Sequence, residues 1–306
     1  MGTFAGMPAH AARGRNAVAY TLAALVLAAG LLLSVGPQAA RALGRSLSPS
    51  ASPAPSPSPV SDSETPSASA APSTSASASA SPTHSGPYRV VGLGDSVPAG
   101  DACDCTSYVS LVGKHEAARL GTSAKVSNLA EGGLTTAGLL DQLDQASVRR
   151  TVSAADLVII TIGANDFDTG SVADDSCSAP AMSCFQSTLR QQAGQLGTVL
   201  KKVDTLLAGR SATVLVTGYW NVFLDGDVAA ARGADYVRNS IALTQAENAQ
   251  IETAAQARSA TYVDIFTPFK GASGTGDDTS LLAGDGDHPN AAGHRKIAKA
   301  LESALA

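Results

Sequence analysis

The sequence predicts an α/β fold, a three-layer α/β/α sandwich built on a five-stranded parallel sheet. Short apolar runs rich in Val and Ile, each bounded by Gly, Asp or Asn, alternate with longer segments whose apolar residues recur every three or four positions. The short runs are typical of parallel strands buried on both faces, and the longer segments are typical of crossover helices. Right-handed crossovers place such helices on both faces of one sheet.

The predicted strands begin immediately after Pro87. They cover residues 88–93 (YRVVGL), 124–129 (AKVSNL), 156–162 (DLVIITI), 212–218 (ATVLVTG) and 260–266 (ATYVDIF). Predicted helices lie between them, the longest apolar stripe being that of Leu189, Leu196, Leu200, Val203 and Leu207. Ligands of parallel α/β sheets bind beyond the carboxyl ends of the strands, so a functional site is expected in the loops that follow the strands.

Composition separates this predicted domain from the residues before it. Ten of the 15 prolines lie between Pro37 and Pro87, and residues 46–87 contain almost no large apolar side chains. Such a segment cannot repay the conformational entropy of ordering its backbone, so residues 43–87 are predicted to form a disordered Ser/Ala/Pro-rich linker. Residues 88–306 then form a single domain of 219 residues.

Residues 1–42 have the features of an export signal. Two arginines precede a long uncharged run whose apolar centre is residues 17–36, and small residues stand at Ala40 and Ala42. This pattern favours a signal peptide cleaved after Ala42, but about 20 apolar residues also suffice to span a bilayer. An uncleaved anchor, with membrane attachment through residues 17–36, therefore stays open. Either outcome predicts a domain outside the cytoplasm, secreted or anchored to the cell membrane.

The predicted domain is acidic. Residues 88–306 hold 17 Lys and Arg against 24 Asp and Glu, which gives a net charge of −7. A surface that binds nucleic acid needs clustered positive charge to neutralise phosphates, so no nucleic-acid partner is expected. The same net charge disfavours long-range attraction to anionic membranes or polymers and leaves neutral esters as the easier substrates to draw in.

The four cysteines all fall in the predicted domain, and an exported protein meets an oxidising compartment, so disulfides are expected. Three pairings are possible, and the local one, Cys103 with Cys105 and Cys177 with Cys184, is favoured. Metal binding is the alternative. Cys-x-Cys with a distant Cys-x6-Cys and no His at ligand spacing is a poor zinc pattern, however, and no metal is expected.

Ser96 follows the first predicted strand, in the segment Gly92-Leu93-Gly94-Asp95-Ser96. The Gly-x-Gly suggests a dinucleotide-binding loop, but Val97 replaces the third glycine and Asn128 stands where the second strand should end in an acid. The nucleophile elbow of α/β-hydrolases is also absent, because Pro98 occupies its last position. Ser96 still lies just beyond a strand end, where a hydroxyl can be held towards solvent at the start of a helix.

A serine nucleophile needs a base, and three histidines fall in the domain. His115 and His294 lie in predicted helices, and both are expected on the solvated surface. His288 lies in a loop before the last predicted helix, with Asp285 three residues ahead of it. That carboxylate can bond the imidazole Nδ1–H and leave Nε2 to face the nucleophile. Asp287 competes for this role, but its adjacency to His288 is expected to point its side chain away.

Acyl transfer also requires donors that stabilise an oxyanion. Asn165 follows the third predicted strand and can aim its side-chain NH2 into the same crevice, while Gly133, after the second strand, can offer a backbone N–H. With the N–H of Ser96 these would form a three-donor oxyanion hole. Gly132 stands beside Gly133, and the five-residue spacing from Asn128 favours Gly133.

Four segments resemble, in order and approximate spacing, the sequence blocks of the SGNH (GDSL) hydrolases. They are Gly94-Asp95-Ser96, Gly133, Gly163-Ala164-Asn165-Asp166 and Asp285-Gly286-Asp287-His288. The resemblance covers nearly all of residues 88–306. It implies the flavodoxin-like α/β/α sandwich of that family and ester hydrolysis through an acyl-enzyme, without a metal or organic cofactor. It also implies Ser96 as nucleophile, His288 as base, Asp285 as orienting acid, and Ser96, Gly133 and Asn165 as oxyanion donors.

Three loops are expected to wall the site: residues 103–107, 168–184 and 219–223. Trp220, the only Trp, could line an acyl pocket, although core packing is the commoner use of such a residue. The scarcity of aromatic residues gives no sign of the broad apolar surface of an interfacial lipase. The expected substrates are therefore short- to medium-acyl esters or polysaccharide O-acetyl groups. The alternatives are a lipase or phospholipase of the same family and a catalytically silent cell-surface binding module on a stalk.

Overall fold

The computed structural model describes residues 85–168, 177, 179, 182–221 and 223–306. The predicted export signal and nearly all of the predicted linker lie outside the described residues, as does most of the loop at 168–184. Among the described helices, none is long and apolar enough to cross a membrane.

The fold class predicted from the sequence is confirmed. Five parallel strands form one sheet in the order β2-β1-β3-β4-β5. They are β1 (Tyr88–Gly94), β2 (Ala124–Asn128), β3 (Leu157–Thr161), β4 (Thr213–Thr217) and β5 (Thr261–Val263). The predicted and observed bounds differ most at β5. The Asp264 carboxylate accepts hydrogen bonds from the N–H groups of Phe266 (2.9 Å) and Thr267 (3.3 Å), which turns the chain out of the strand and into a helix.

Nine helices connect and cover the strands within the described residues. They are α1 (Ser96–Ala99), α2 (Tyr108–Arg119), α3 (Thr136–Gln142), α4 (Ala146–Ser153), α5 (Gln186–Leu206), α6 (Gly226–Ala230), α7 (Ala234–Gln256), α8 (Phe266–Lys270) and α9 (Ala291–Ala304). Helix α2 packs on α9, while α5 packs on α3, α4 and α7, so the helices form two groups, one on each face of the sheet. The predicted apolar stripe of α5 is buried as expected.

The strand register brings the functional loops to one edge of the sheet. Gly92 of β1 pairs with Asn128 of β2, and Gly94 pairs with Thr161 of β3, so these three strands end almost side by side. All five residues of β3 are buried. Because the central strands cannot shift without exposing apolar side chains, the loops that leave their carboxyl ends start from fixed positions.

The expected surface position of His294 is wrong. Its side chain is fully buried, and its Nδ1 accepts a hydrogen bond from the Tyr108 N–H at 3.3 Å. The reason lies in helical spacing, because Ile297, Ala298 and Leu301 follow at three, four and seven residues and form the buried stripe of α9. That spacing was visible in the sequence. Burial is the main cause that lowers the pKa of His294 to about 4, with a smaller contribution from His288. His115, by contrast, is about half exposed, as expected.

Candidate active site

The turn after β1 holds Ser96 at the mouth of a cavity. Gly94 has a φ of 128°, and a Cβ there would collide with the Thr161 carbonyl, so only glycine allows the turn this close to β3. Asp95 caps the short helix α1, since its Oδ1 accepts the Val97 N–H at 3.0 Å. Ser96 is the first residue of that helix.

Asn128 ties the end of β2 to the same turn. Its Nδ2 donates to the Pro98 carbonyl at 2.7 Å, and the Glu131 N–H donates to the Gly94 carbonyl at 2.9 Å. The amide therefore fills the place that a dinucleotide-binding fold would give to an acid, and it fixes α1 from the side.

Asp95 and Tyr219 form a buried link that the sequence did not predict. Asp95 is fully buried, and its Oδ2 accepts a hydrogen bond from the Tyr219 hydroxyl. The same hydroxyl accepts the Ala164 N–H at 3.3 Å, so it joins the Ser96 turn to the turn after β3. Burial raises the pKa of Asp95 to about 7, against the lowering effect of the hydrogen bonds from Tyr219 and Val97.

A second buried pair supports the turn after β3. Gly163 has a φ of 139°, and a Cβ there would collide with the side-chain ends of Gln192 and Glu247. The Gln192 amide donates a hydrogen bond to Glu247, which is fully buried. Burial raises the pKa of Glu247 well above its usual value, against the lowering effect of that hydrogen bond. The glycine thus lets polar side chains of two helices contact the backbone behind the turn.

Asn165 lies in this turn and reaches towards the loop after β2. Its Nδ2 donates to the Leu134 carbonyl at 3.1 Å. Next to it, Asp166 Oδ2 accepts hydrogen bonds from the N–H (2.9 Å) and the hydroxyl (2.8 Å) of Thr136, at the start of α3. The loops after β2 and β3 are thereby joined, and within the described part of the chain one N–H of the Asn165 amide stays available to a ligand.

Gly133 lies in the loop after β2, one residue before Leu134, but it is not part of the cavity wall described below. Its φ of 76° requires glycine, although a Cβ would meet nothing within 4 Å. At Gly132 a Cβ would collide with the carboxylate of Asp101. The two glycines therefore have different roles: a left-handed turn at Gly133 and a close approach at Gly132.

His288 and Asp285 are in contact. His288 Nδ1 lies 2.8 Å from Asp285 Oδ2, while Asp285 Oδ1 accepts the N–H groups of Asp287 and His288 at 3.0 Å each. Burial raises the pKa of Asp285, but the hydrogen bonds from Asp287 and His288 outweigh it, so the pKa lies below its usual value. Asp287 does not point fully away as expected, because its Oδ2 lies 4.0 Å from the same Nδ1. Asp285 is nevertheless the hydrogen-bonded partner.

A buried charge cluster lies under this loop. The Gly286 carbonyl accepts the Asp225 N–H at 2.7 Å, and the Asp225 carboxylate forms an ion pair with Lys270. Lys270 Nζ also lies 3.1 Å from Asp278 Oδ2, and all three charged residues are buried. No motif in the sequence marks these residues, which come from three separate segments.

One cavity of about 360 Å³ brings Ser96, Asn165 and His288 together. Its wall consists of Ser96, Val97, Ala164, Asn165, Tyr219, Asn221, Phe223, Leu224, Arg232, Tyr236, Asp287 and His288. Asp285 stands behind His288 and contacts it from outside the wall. The wall thus contains a hydroxyl nucleophile, an imidazole base and an amide donor, which are the groups that acyl transfer requires.

The three loops expected around the site have different outcomes. In the loop at 219–223, Tyr219, Asn221 and Phe223 contribute to the wall as expected, while Trp220 is buried and stacks on Phe269 with ring centroids 4.8 Å apart. The expectation for residues 103–107 is wrong, since none of them lines the cavity. That turn instead lies beside His294, because α9 packs against α2 there. Most of 168–184 is outside the described residues.

The cysteines form the two local pairs favoured from the sequence. Cys103 and Cys105 are joined with a Cα separation of 5.1 Å, and Cys177 and Cys184 with 5.7 Å. The Cys103 and Cys105 sulfurs and His294 lie within 4.8 Å of one another. Both sulfurs are held in a disulfide, however, and His294 Nδ1 accepts a backbone N–H, which puts the ring proton on Nε2. In this state the cluster offers no thiolate and no free imidazole lone pair to a metal.

The sequence matches the GDSL-like lipase/acylhydrolase family over residues 93–296. No curated protein sequence gives a significant match. Among solved structures, the lipase Lip_vut3 from a goat rumen metagenome is 17% identical with a TM-score of 0.58, covering 71% of this chain and 97% of its own. The extracellular lipase of Streptomyces rimosus is 24% identical with a TM-score of 0.52, covering 71% and 99%.

The acetylxylan esterase Axe2 of Geobacillus stearothermophilus is 20% identical with a TM-score of 0.50, covering 71% of this chain and 93% of its own. At these identities the structural likeness shows a shared fold. The family match spans the Ser96 turn, the Asn165 turn and the His288 loop. The chain belongs to the GDSL-like lipase/acylhydrolase family and is an ester hydrolase.

Proposed function

We propose that the protein is an extracytoplasmic serine esterase that hydrolyses carboxylic esters through an acyl-enzyme. Ser96 is the nucleophile, His288 the base and Asp285 the residue that orients it. The observation that carries this assignment is the 2.8 Å contact between His288 Nδ1 and Asp285 Oδ2, with Ser96 and His288 in the wall of one cavity.

Asp285 fixes the tautomer of the base. With Nδ1 donating to the carboxylate, the lone pair of the neutral ring is on Nε2, the atom that can accept the Ser96 proton. The backbone N–H groups that bond Asp285 Oδ1 keep the carboxylate ionised and in place. The carboxylate also stabilises the imidazolium that forms when His288 is protonated.

In the first half-reaction the Ser96 Oγ attacks the ester carbonyl carbon while its proton moves to His288 Nε2. The new Oγ–C bond makes a tetrahedral oxyanion. Collapse of this species breaks the bond to the alcohol oxygen, which takes the proton from His288 as it leaves. In the second half, water attacks the acyl carbon, gives its proton to His288, and the Ser96 oxygen leaves with that proton, so that the acid is released and the enzyme restored.

The oxyanion needs donors that are fixed before it forms. The Ser96 N–H, the second N–H of the Asn165 amide and the Gly133 N–H are the proposed donors. The bond from Asn165 to the Leu134 carbonyl supports this role, since it restricts the amide without using both of its hydrogens. The proposed role of Gly133 is supported by its position in the same loop, next to Leu134.

The cavity volume and one similar solved structure support a substrate with a small acyl group. About 360 Å³ is near the lower end of the range for ligand pockets, enough for a short acyl chain and part of an alcohol. One structural neighbour is described as an acetylxylan esterase, which is consistent with short acyl or polysaccharide O-acetyl esters as substrates. The extracytoplasmic location rests on the predicted export signal and agrees with two disulfides.

Ser96→Ala tests the mechanism. The variant should hydrolyse p-nitrophenyl acetate at least about 10³-fold more slowly than the wild type, because the acyl-enzyme cannot form. Ser303→Ala, at an exposed position near the end of α9, is the matched control and should retain activity. A fluorophosphonate probe should label the wild type and Ser303→Ala but not Ser96→Ala. A folded wild type that the probe does not label would instead favour a binding module.

A further inference from the structure

We propose that the substrate ester carries an anionic group, a carboxylate or a phosphate, which Arg232 binds. The inference rests on the esterase function proposed above and adds a substrate class to it. It concerns a side chain of the cavity wall that the acyl-transfer mechanism does not use.

Arg232 is held in place by an aromatic ring. Its guanidinium carbon lies 4.8 Å from the ring centroid of Tyr236, which lies in the first turn of α7. Tyr236 is itself buried. Both Tyr236 and Leu224 line the cavity, so a rigid part of the wall supports the cation.

Within the described residues, no acid forms an ion pair with Arg232. Arg232 is exposed, and no carboxylate oxygen of these residues lies within 4.0 Å of its guanidinium. Other exposed arginines, such as Arg149 and Arg295, also have no ion pair among these residues, so what distinguishes Arg232 is its position in the cavity wall. A cation–π contact uses the face of the guanidinium and leaves its N–H groups to donate in the plane. The guanidinium fork fits carboxylate and phosphate oxygens in bidentate fashion.

Arg232 and Asp287 are the two described residues of the cavity wall with full charges, and they have opposite signs. Asp287, beside His288, would repel an anion, and Arg232 is the only Lys or Arg among the described wall residues. Asn221, also in the wall, is a neutral polar residue. An ester with its carbonyl at Ser96 would therefore place its anion at Arg232 and not against the Asp287 carboxylate. Because the domain has a net negative charge, its long-range field does not attract an anionic substrate, and Arg232 would bind the anion only at short range.

Two pairs of esters, each consisting of an anionic ester and a neutral analogue, test the proposal. 1-Acetylglycerol 3-phosphate against 1-acetylglycerol places the anion on the alcohol, and monomethyl adipate against methyl adipamate places it on the acyl group. The kcat/KM ratio of charged to neutral ester is measured for the wild type, Arg232→Gln, Arg232→Lys and Arg238→Gln. Arg238→Gln is the matched control, since it removes one positive charge six residues away and outside the cavity wall.

The wild type should prefer the charged ester in at least one pair, and Arg232→Gln should lower that ratio about tenfold or more. Arg232→Lys should retain part of the preference, and Arg238→Gln all of it. The pair that responds identifies which half of the ester carries the anion. Equal ratios in wild type and Arg232→Gln for both pairs would overturn the proposal, as would a wild type that prefers both neutral esters.

Competitive inhibition of p-nitrophenyl acetate hydrolysis makes the test independent of turnover of these esters. Glycerol 3-phosphate or adipate should inhibit the wild type about tenfold more strongly than Arg232→Gln, with glycerol as the neutral control. If the anions inhibit the wild type and Arg232→Gln equally, and neither charged ester is preferred, the proposed anion site is contradicted. A wild type that fails to hydrolyse p-nitrophenyl acetate would instead contradict the esterase function itself.

Discussion

The Ser96 turn and the His288 loop meet in one cavity, but different kinds of contact hold them. The Ser96 turn is held by buried groups from distant parts of the chain, such as the bond between Tyr219 and Asp95 across 124 residues. The His288 loop holds its own ring through contacts within three residues, and its Asp285 side chain is 39% exposed. Substitutions in the first region should therefore affect folding and catalysis together, and those in the second should affect catalysis alone.

The largest expected effect lies in the exposed loop. Asp285→Asn should lower kcat about 10³- to 10⁴-fold, because the amide favours the wrong tautomer of His288. The free energy of unfolding should change by less than about 0.5 kcal/mol, since Asn can still accept the backbone N–H groups. Ester hydrolysis and urea unfolding measure the two effects.

Asp287→Asn is the matched control for this loop. Its carboxylate lies 4.0 Å from His288 Nδ1, against 2.8 Å for Asp285, and it should lower kcat far less. An equal loss of kcat in both variants would contradict the assignment of Asp285 as the acid that orients His288.

An intermediate effect is expected in the buried region. Tyr219→Phe leaves Asp95 Oδ2 and the Ala164 N–H without their partner, which should cost about 1–3 kcal/mol of unfolding free energy. The pKa of Asp95 is about 7 in the folded protein, above that of an unfolded Asp, so the folded state binds this proton more tightly. The stability that this provides is lost as the pH rises from the unfolded pKa through about 7. Without the Tyr219 bond the folded-state pKa rises further, so the loss should be larger at pH 8 than at pH 5.

Denaturant unfolding at both pH values checks this prediction, and kcat should fall along with stability. A variant with unchanged stability and a large loss of kcat would mean that Tyr219 acts on the reaction directly. In that case the contrast between the two regions would fail.

The effect that is smallest at neutral pH concerns His294, six residues after His288 but buried. A lowered pKa means that the unfolded state takes up the proton first, so stability is complete above about 6.5 and is lost as pH falls towards about 4. His294→Gln should remove up to about 1.4 kcal/mol per pH unit of this acid sensitivity. Unfolding of both proteins between pH 7 and pH 4.5 measures it. Parallel curves would contradict the buried neutral state of His294.

The sequence predicted the strands well because their apolar runs need no tertiary information. It also predicted the Asp285 and His288 pair, whose contact is local. It did not predict Tyr219, Gln192, Glu247 or Lys270, because a polar residue in a helix or loop has no local mark of burial. The predicted surface position of His294 is wrong because its spacing from Ile297, Ala298 and Leu301 puts it on the buried stripe of α9, although its side chain is polar.

The sequence by itself determined the fold class, the loops that hold chemistry and the identity of the candidate nucleophile and base. These follow from periodicity, from glycines at turns, and from spacing within a few residues. Only the tertiary structure decided which polar groups are buried beneath those loops, which loop walls the cavity, and that Arg232 has no acidic partner among the described residues. Such pairings depend on how distant segments pack, because burial and hydrogen bonding are properties of the assembled neighbours and not of any one segment.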